Sequence, residues 1–399
     1  MSTQCLLGRP LDRDIVMNLY ESAKAVIDTP KLVFVVIDQT PDESGLIEIG
    51  ALRAAEGVQV IPLDDAIIQQ GRELQKEQEK LREYLLRFIG RRNLYDVRNP
   101  VVDRLNFFGR ETRASELLEV LSQGRPLALF GLRKMGKSSL VQHLRENAPF
   151  PVAYVDLQAG EELAALYNRI LGSWQRSLRV RLPGFDWSPP KISEEASSSF
   201  VTATDELMTR LETSGHSSRL GLFIDEIEVI VPRLQGGPGT ISPKELNRYM
   251  SFARALRGIV QETDRLSLLM VGVDPQFNRV SRWLGQQNPF YQFLREEYLG
   301  PLSREDCVQM VRNIGRQMEL DYTDEAAQFI ADVSGGHPFL ARQLCSATFE
   351  TMGDEAATKI TLNHLHEAAE RFIRRPGTAD LVNENGLWGE VTDPALWPK

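Results

Sequence analysis

Two short stretches of this 399-residue chain carry residue types suited to phosphate chemistry. In Leu127-Ala-Leu-Phe-Gly-Leu-Arg-Lys-Met-Gly-Lys-Ser-Ser, Gly131 is followed by four variable residues and then Gly136-Lys137-Ser138. Glycines let backbone N–H groups curl around phosphates, the amine of Lys137 reaches the β- and γ-phosphates, and the hydroxyl of Ser138 can ligand Mg²⁺. Gly131, Met135, Gly136, Lys137, Ser138 and Ser139 are therefore the expected phosphate cradle. Further along, the apolar run Leu220-Gly-Leu-Phe-Ile ends in Asp225-Glu226. Asp225 is expected to hold Mg²⁺ through a water or together with Ser138, and Glu226 to polarise an attacking water. Glu228 either orients Asp225 or lies exposed.

The elements needed to place these groups follow from the apolar patterning. A strand over Leu127–Phe130 leads into the glycine loop, and a helical pattern follows it. A parallel sheet is expected to set the acid-ended strand beside the strand of the phosphate loop. Pro151–Leu157 reads as a strand, and Leu163, Leu166, Ile170, Leu171 and Trp174 mark a helix. Gly184–Ser199 is Pro/Ser-rich and acidic and reads as an exposed loop, before a helix over Val201–Leu211. Beyond the flexible loop Gln235–Ser242 come a helix over Pro243–Glu262 and a core strand, Leu266–Val273, ending at Asp274-Pro275. Glu297–Leu302 reads as the last strand, preceded by Arg279, Arg282 and Arg295. From Ser303 to about Arg375 the pattern is helical, with Ser303 and Thr323 as N-caps and the turn Gly335-Gly-His-Pro-Phe-Leu between helices. His364 and His366, two apart on a helix, point away from each other and cannot share a metal.

Residues 1–64 read as a small α/β unit, with a helix over Ile15–Ile27 and strands over Lys31–Asp38, Leu46–Leu52 and Val58–Leu63. Asp38, Glu43 and Glu48 lack the lysine that would complete a nuclease-like set, so the unit is expected to bind a partner rather than catalyse. Residues 65–95 read as a charged linker helix. Ile67, Leu74, Leu81 and Phe88 recur every seven residues, but Gly71 and Gln78 break the intermediate positions a coiled coil needs. The tail, 376–399, loses periodicity. A net charge of −9 does not favour a broad nucleic-acid surface. The three cysteines (Cys5, Cys307, Cys345) are far apart, which suggests a reducing compartment. With no apolar run of membrane length and no signal-like start, a cytoplasmic location is expected.

With Phe107-Phe108-Gly109-Arg110-Glu111 ahead of the phosphate loop, residues 96–375 resemble the AAA+-related STAND ATPases and their archaeal-type allies. The resemblance implies an α/β, three-layer P-loop NTPase domain with a parallel sheet (96–302) and a helical lid (303–375). It also implies that Val102, Phe108, Gly109 and Arg110 line the adenine, that Pro338 packs on the base, and that Asp274 is the polar sensor after its strand. Asparagine or threonine is the more usual sensor, so an acid there departs from the pattern. By the same resemblance Arg295 is the arginine finger that completes a neighbouring subunit's site. ATP and Mg²⁺ are the implied cofactors. The implied role is a switch in prokaryotic signalling or anti-phage defence, a homo-oligomer in the ATP state with an effector engaged through residues 1–95. A nucleic-acid-associated ATPase of the origin-recognition or transposition-loader type is the alternative, and a pseudo-ATPase scaffold is a weaker third. Many relatives continue into a winged helix; either this is a minimal form or a truncated one. Arg133 and Lys134 face the phosphates, a neighbouring subunit or solvent.

Overall fold

Three apolar runs set the centre of the fold: Leu127–Phe130 (β4), Leu220–Asp225 (β6) and Leu266–Gly272 (β7) are buried along their whole length. Strands without a polar alternation suit a parallel sheet, which has no solvated face. The computed structural model describes residues 2–6, 10–26, 32–39, 41–56, 58–74, 84, 93–96, 100–101, 106–159, 162–193, 197–232, 242–318, 320–352 and 359–374. These divide into two compact units, one within residues 112–133 and 140–300 and the other within residues 1–111, 134–139 and 301–374.

The first unit holds a five-stranded parallel sheet in the order β10-β4-β7-β6-β5, where β5 is Val152–Asp156 and β10 is Arg295–Tyr298. This is the α/β arrangement expected of a P-loop nucleotide-binding domain. One expectation is corrected: β6 does not lie beside β4, because β7 pairs with both and separates them. Crossovers in a parallel sheet can skip positions, so chain distance does not dictate lateral order; β7, buried at every residue, takes the central place. The last strand also starts earlier than expected, so Arg295 is its first residue rather than a residue ahead of it.

Helices α6 (Leu163–Arg181), α7 (Ser197–Thr213) and α8 (Pro243–Thr263) share one hydrophobic core with this sheet. Trp174 is fully buried and donates its indole N–H to the Gly221 carbonyl at 2.7 Å, while Tyr167 stacks on Phe200 at 4.4 Å between centroids. The edge strand β5 is tied to α6: Ser177 Oγ accepts the Val152 N–H and Ser173 Oγ the Tyr154 N–H, both at 3.1 Å. The Pro-rich stretch expected as an exposed loop is anchored instead. Trp187 and Ile192 are buried, and the Asn168 side chain bonds both the N–H and the carbonyl of Ile192.

In the second unit β1 (Ser2–Leu6), β2 (Leu32–Ile37) and β3 (Gln59–Asp64) form a parallel sheet in chain order, with α1 (Arg13–Val26) between the first two. Leu46–Leu52, expected as a strand, belongs instead to helix α2 (Glu43–Glu56). The reason is topological: β2 and β3 are parallel, and parallel neighbours require a crossover rather than a hairpin. Asp42 starts that helix by accepting the Gly45 N–H at 2.8 Å. Of the charged linker helix, Asp65–Leu74 (α3) is helical; apart from Tyr84, whose hydroxyl donates to the Pro62 carbonyl, 75–92 lies outside the described residues, as does the tail.

The helical segment comprises α10 (Arg304–Gln317), α11 (Asp324–Ser334), α12 (Pro338–Met352) and α13 (Leu362–Arg374). Ser303 and Thr323 accept the N–H groups of Asp306 and Ala326 as the N-cap pattern predicts, each cap being worth about 1 kcal/mol. Two features join the N-terminal part to these helices. Helix α2 packs against α10. The segment Asn93–Asp96 is held in the helical core, where Tyr95 is fully buried, donates to the Val311 carbonyl at 2.7 Å and meets Tyr322 edge-on; Asn93 donates to Ser346 Oγ at 2.7 Å. No helix among the described residues is long and apolar enough to cross a membrane.

Candidate nucleotide-binding site

The phosphate loop leaves β4 at Gly131, where the backbone runs against that of Leu299: a Cβ would stand 2.7 Å from the Leu299 carbonyl oxygen. Only glycine fits there without displacing β10's exit. Lys134 and Gly136 adopt left-handed backbone, φ +59° and +94°. This conformation helps turn consecutive N–H groups into an anion-binding concavity. A Cβ on Gly136 would meet nothing within 4 Å, so its glycine is required by conformation rather than by crowding. Met135 is buried and anchors the loop. Helix α5 (Lys137–Asn147) then begins at Lys137, which places Lys137 and Ser138 in its first turn, where the orphan N–H groups and the helix dipole favour an anion. Ser139 Oγ accepts the Val101 N–H at 3.0 Å and so fastens the helix start to the preceding segment. Lys134, left open by the sequence, extends its ammonium over the Phe339 ring, 5.5 Å from the centroid.

Residues expected around the adenine lie within the same unit. Val102 is outside the described residues. Phe108 packs on the core of the helical segment. Gly109 has φ +63°, and a Cβ would fall 2.5 Å from Cγ of Asp306. Arg110 is half-buried; burial draws its guanidinium below the ordinary value, and the Asp306 and Glu111 carboxylates oppose that shift. Pro338 is the first residue of α12, a position where its missing N–H costs nothing. The turn before it carries Gly335 (φ +57°) as the left-handed cap of α11 and Gly336 (φ +73°), whose carbonyl accepts the Leu302 N–H at 2.9 Å. His337 sits in this turn, its N–H donating to the Ser334 carbonyl at 3.0 Å.

In the sheet unit, Asp225 is buried at the end of β6, in register with Asp156 of β5. Its Oδ1 accepts the Glu226 N–H at 3.0 Å and its Oδ2 the Tyr154 hydroxyl at 3.3 Å. Burial pushes the Tyr154 phenol well above its ordinary value, and the Asp225 and Asp156 carboxylates push it the same way. Glu226 stands in left-handed backbone, φ +55°, a strained form for a non-glycine residue of the kind found at functional sites. Glu228 is not exposed: its carboxylate lies against Gly272 at the end of β7, where an added Cβ would meet Oε2 at 2.5 Å. Asp274 accepts the Gln276 N–H at 2.9 Å in the turn that leads into the short helix α9 (Gln276–Arg279). Arg295 pairs with Glu297 on its own strand, Nε to Oε1 2.8 Å, and keeps 55% of its side chain exposed. Arg279 grips Glu296 with two nitrogens and donates to the Tyr298 hydroxyl.

The donors fit the expected ligands. A serine hydroxyl and an aspartate carboxylate are the hard oxygen ligands Mg²⁺ takes, and a helix start with a lysine suits a nucleotide phosphate. Tyr154 is the residue sequence reasoning missed; a lone tyrosine in an apolar strand signals only core.

Sheet order, phosphate loop and acid-ended strand together define the α/β fold of a P-loop NTPase domain. Residues 120–280 match a family model described as an AAA domain. The fold resembles that of the Walker-type ATPase PABY2304 of Pyrococcus abyssi, at a TM-score of 0.53 and 19% identity over 75% of this chain and 78% of that one. The RuvB Holliday junction branch migration motor of Thermotoga maritima aligns at a TM-score of 0.39 and 16% identity, over 68% and 72% of the two chains. Among curated proteins, none matches significantly.

Proposed function

We propose that this chain binds ATP with Mg²⁺, hydrolyses it, and uses the bound nucleotide as a switch of the STAND type. The observation that carries the reading is the phosphate loop: a buried strand, a loop with left-handed backbone at Lys134 and Gly136, and a helix starting at Lys137-Ser138. Lys137 holds the β- and γ-phosphates, and the N–H groups of the loop surround them. Ser138 and Asp225 hold Mg²⁺, which when bound neutralises charge developing on the phosphates. Glu226 accepts a proton from the attacking water. Asp274 and Arg295 are the proposed sensor and finger; Arg295 has to leave Glu297 to reach a neighbouring chain. Phe108, Gly109, Arg110 and Pro338 are the proposed base-side residues.

The switch reading draws support from the tie between the N-terminal part and the helical segment through α2 and Asn93–Asp96. A nucleotide that repositions the helical segment moves the N-terminal part with it, which suits an effector domain in signalling or anti-phage defence. A cytoplasmic, ATP-dependent homo-oligomer follows from the same proposal. Lys137→Ala should abolish nucleotide binding, and Glu226→Gln should keep binding yet lose phosphate release. Undiminished affinity in the first would sink the loop assignment; normal release in the second would remove Glu226. Light scattering on the eluted chain, without nucleotide and with ATP, tests assembly. An ATP-dependent DNA mobility shift at low salt without assembly would favour the loader-type alternative.

A further inference from the structure

The two oxygens of Asp225 are held by different groups, and one of them lies on a neighbouring strand. In the β5–β6 register Tyr154 opposes Phe223 and Asp156 opposes Asp225. Tyr154 and Asp225 are therefore diagonal neighbours on one face of the sheet, a span that a long aromatic side chain bridges. The phenol does so, donating to Oδ2 at 3.3 Å. Oδ1 accepts the Glu226 N–H at 3.0 Å, so both carboxylate oxygens are engaged by fixed donors.

The backbone under the tyrosine is itself fixed. Ser173 of α6 accepts the Tyr154 N–H at 3.1 Å and donates back to its carbonyl at 3.3 Å, a closed pair of bonds on the strand that forms the sheet's edge among the described residues. Arg169, one turn away on the same helix, donates to the Asp156 carbonyl. If the tyrosine served only to fill space, its hydroxyl would need no aim and phenylalanine would serve equally.

We infer that Tyr154 is a positioning residue that orients the Asp225 carboxylate toward the nucleotide-bound Mg²⁺. The inference rests on the reading of Asp225 as a metal-site carboxylate. It assigns Tyr154 no contact with nucleotide and no proton transfer. Its neutral hydroxyl fixes one oxygen and, with the Glu226 N–H on the other, sets the plane in which the carboxylate lies. Partners that orient metal-binding groups in this way are typically worth about 10–100-fold in metal affinity or activity.

The test is equilibrium binding of a fluorescent ATP analogue to the full chain, titrated with Mg²⁺, for wild type, Tyr154→Phe, Asp225→Asn and the double variant. Tyr154→Phe should bind metal-free nucleotide as wild type does, while its Mg²⁺ midpoint rises about 10-fold. In the Asp225→Asn background the same change should shift the midpoint no further, because the hydroxyl acts through that carboxylate. A Tyr154→Phe midpoint within about twofold of wild type overturns the inference, as does an equal shift in both backgrounds, which would mark general damage. An Asp225→Asn midpoint equal to wild type overturns instead the assignment of Asp225 on which this stands.

Discussion

The adjacent glycines 335 and 336 offer a controlled test of why the turn before Pro338 has its sequence. Both residues are left-handed, so alanine at either carries a conformational cost of about 1–2 kcal/mol. They differ in space. A Cβ on Gly335 meets nothing within 4 Å, whereas one on Gly336 stands 2.3 Å from the carbonyl oxygen of Leu302. An ordinary carbon–oxygen contact is about 3.3 Å or more, so the two backbones must part by roughly 1 Å. That movement breaks the 2.9 Å bond from the Leu302 N–H to the Gly336 carbonyl, worth about 0.5–1.5 kcal/mol, and opens the entry to α10. Gly336→Ala should therefore cost about 3 kcal/mol and Gly335→Ala about 1 kcal/mol. By scanning calorimetry on the whole chain this corresponds to falls of about 6–12 °C and 2–4 °C in the affected transition. If Gly336→Ala melts no lower than Gly335→Ala, the close approach is not what selects glycine there, and the reasoning fails.

Three further outcomes follow from contacts in either unit. A double-mutant cycle on Lys134→Ala and Phe339→Ala, read by denaturant unfolding, should return a coupling of about 0.5–1 kcal/mol for the ammonium over the ring; additivity would refute the contact. Ser173→Ala removes the hydroxyl that accepts the Tyr154 N–H and should cost about 1–3 kcal/mol, whereas Ser173→Thr should recover most of it in the same melt. Burial opposes ionisation of Glu296, but hydrogen bonds from Arg279, Asn278 and Tyr298 outweigh it and hold the carboxyl below the ordinary 4.5. A depressed folded-state pKa stabilises above the unfolded value and is lost as pH falls through the folded one, so Glu296→Gln should flatten the loss of melting temperature on acidification below about pH 4.5.

What could be read from the sequence was what covalent spacing alone determines. The loop from Gly131 to Ser138 and the acids after Ile224 lie within a few residues of the strands that present them, so local pattern was enough. The N-caps Ser303 and Thr323 are legible for the same reason. Leu46–Leu52 misled because a short apolar run does not distinguish strand from helix; the parallel pairing of β2 with β3, a tertiary fact, decides it. The place of β7 between β4 and β6 is likewise tertiary. Ser2–Leu6 is too short and too polar to announce a strand. Tyr154 and Asp225 are brought together by cross-strand register, and Lys134 and Phe339 by chain folding over two hundred residues, which no local pattern encodes.

The two margins of the five-stranded sheet also bear on how copies of this chain avoid sticking together. An open strand edge offers unpaired N–H and carbonyl groups to any other edge and is a route to aggregation. At β5, serine and arginine side chains of α6 already occupy the Val152 N–H, the Tyr154 N–H and carbonyl, and the Asp156 carbonyl. At β10 the strand is four residues long and reads Arg-Glu-Glu-Tyr, with its charges tied to one another and to Arg113 and Arg279. Sheet continuation from one molecule to the next is thus discouraged at both ends by different means. At this sheet, contacts between copies are left to helix and loop surfaces, where they can be reversed, rather than to strand addition, where they tend to be permanent.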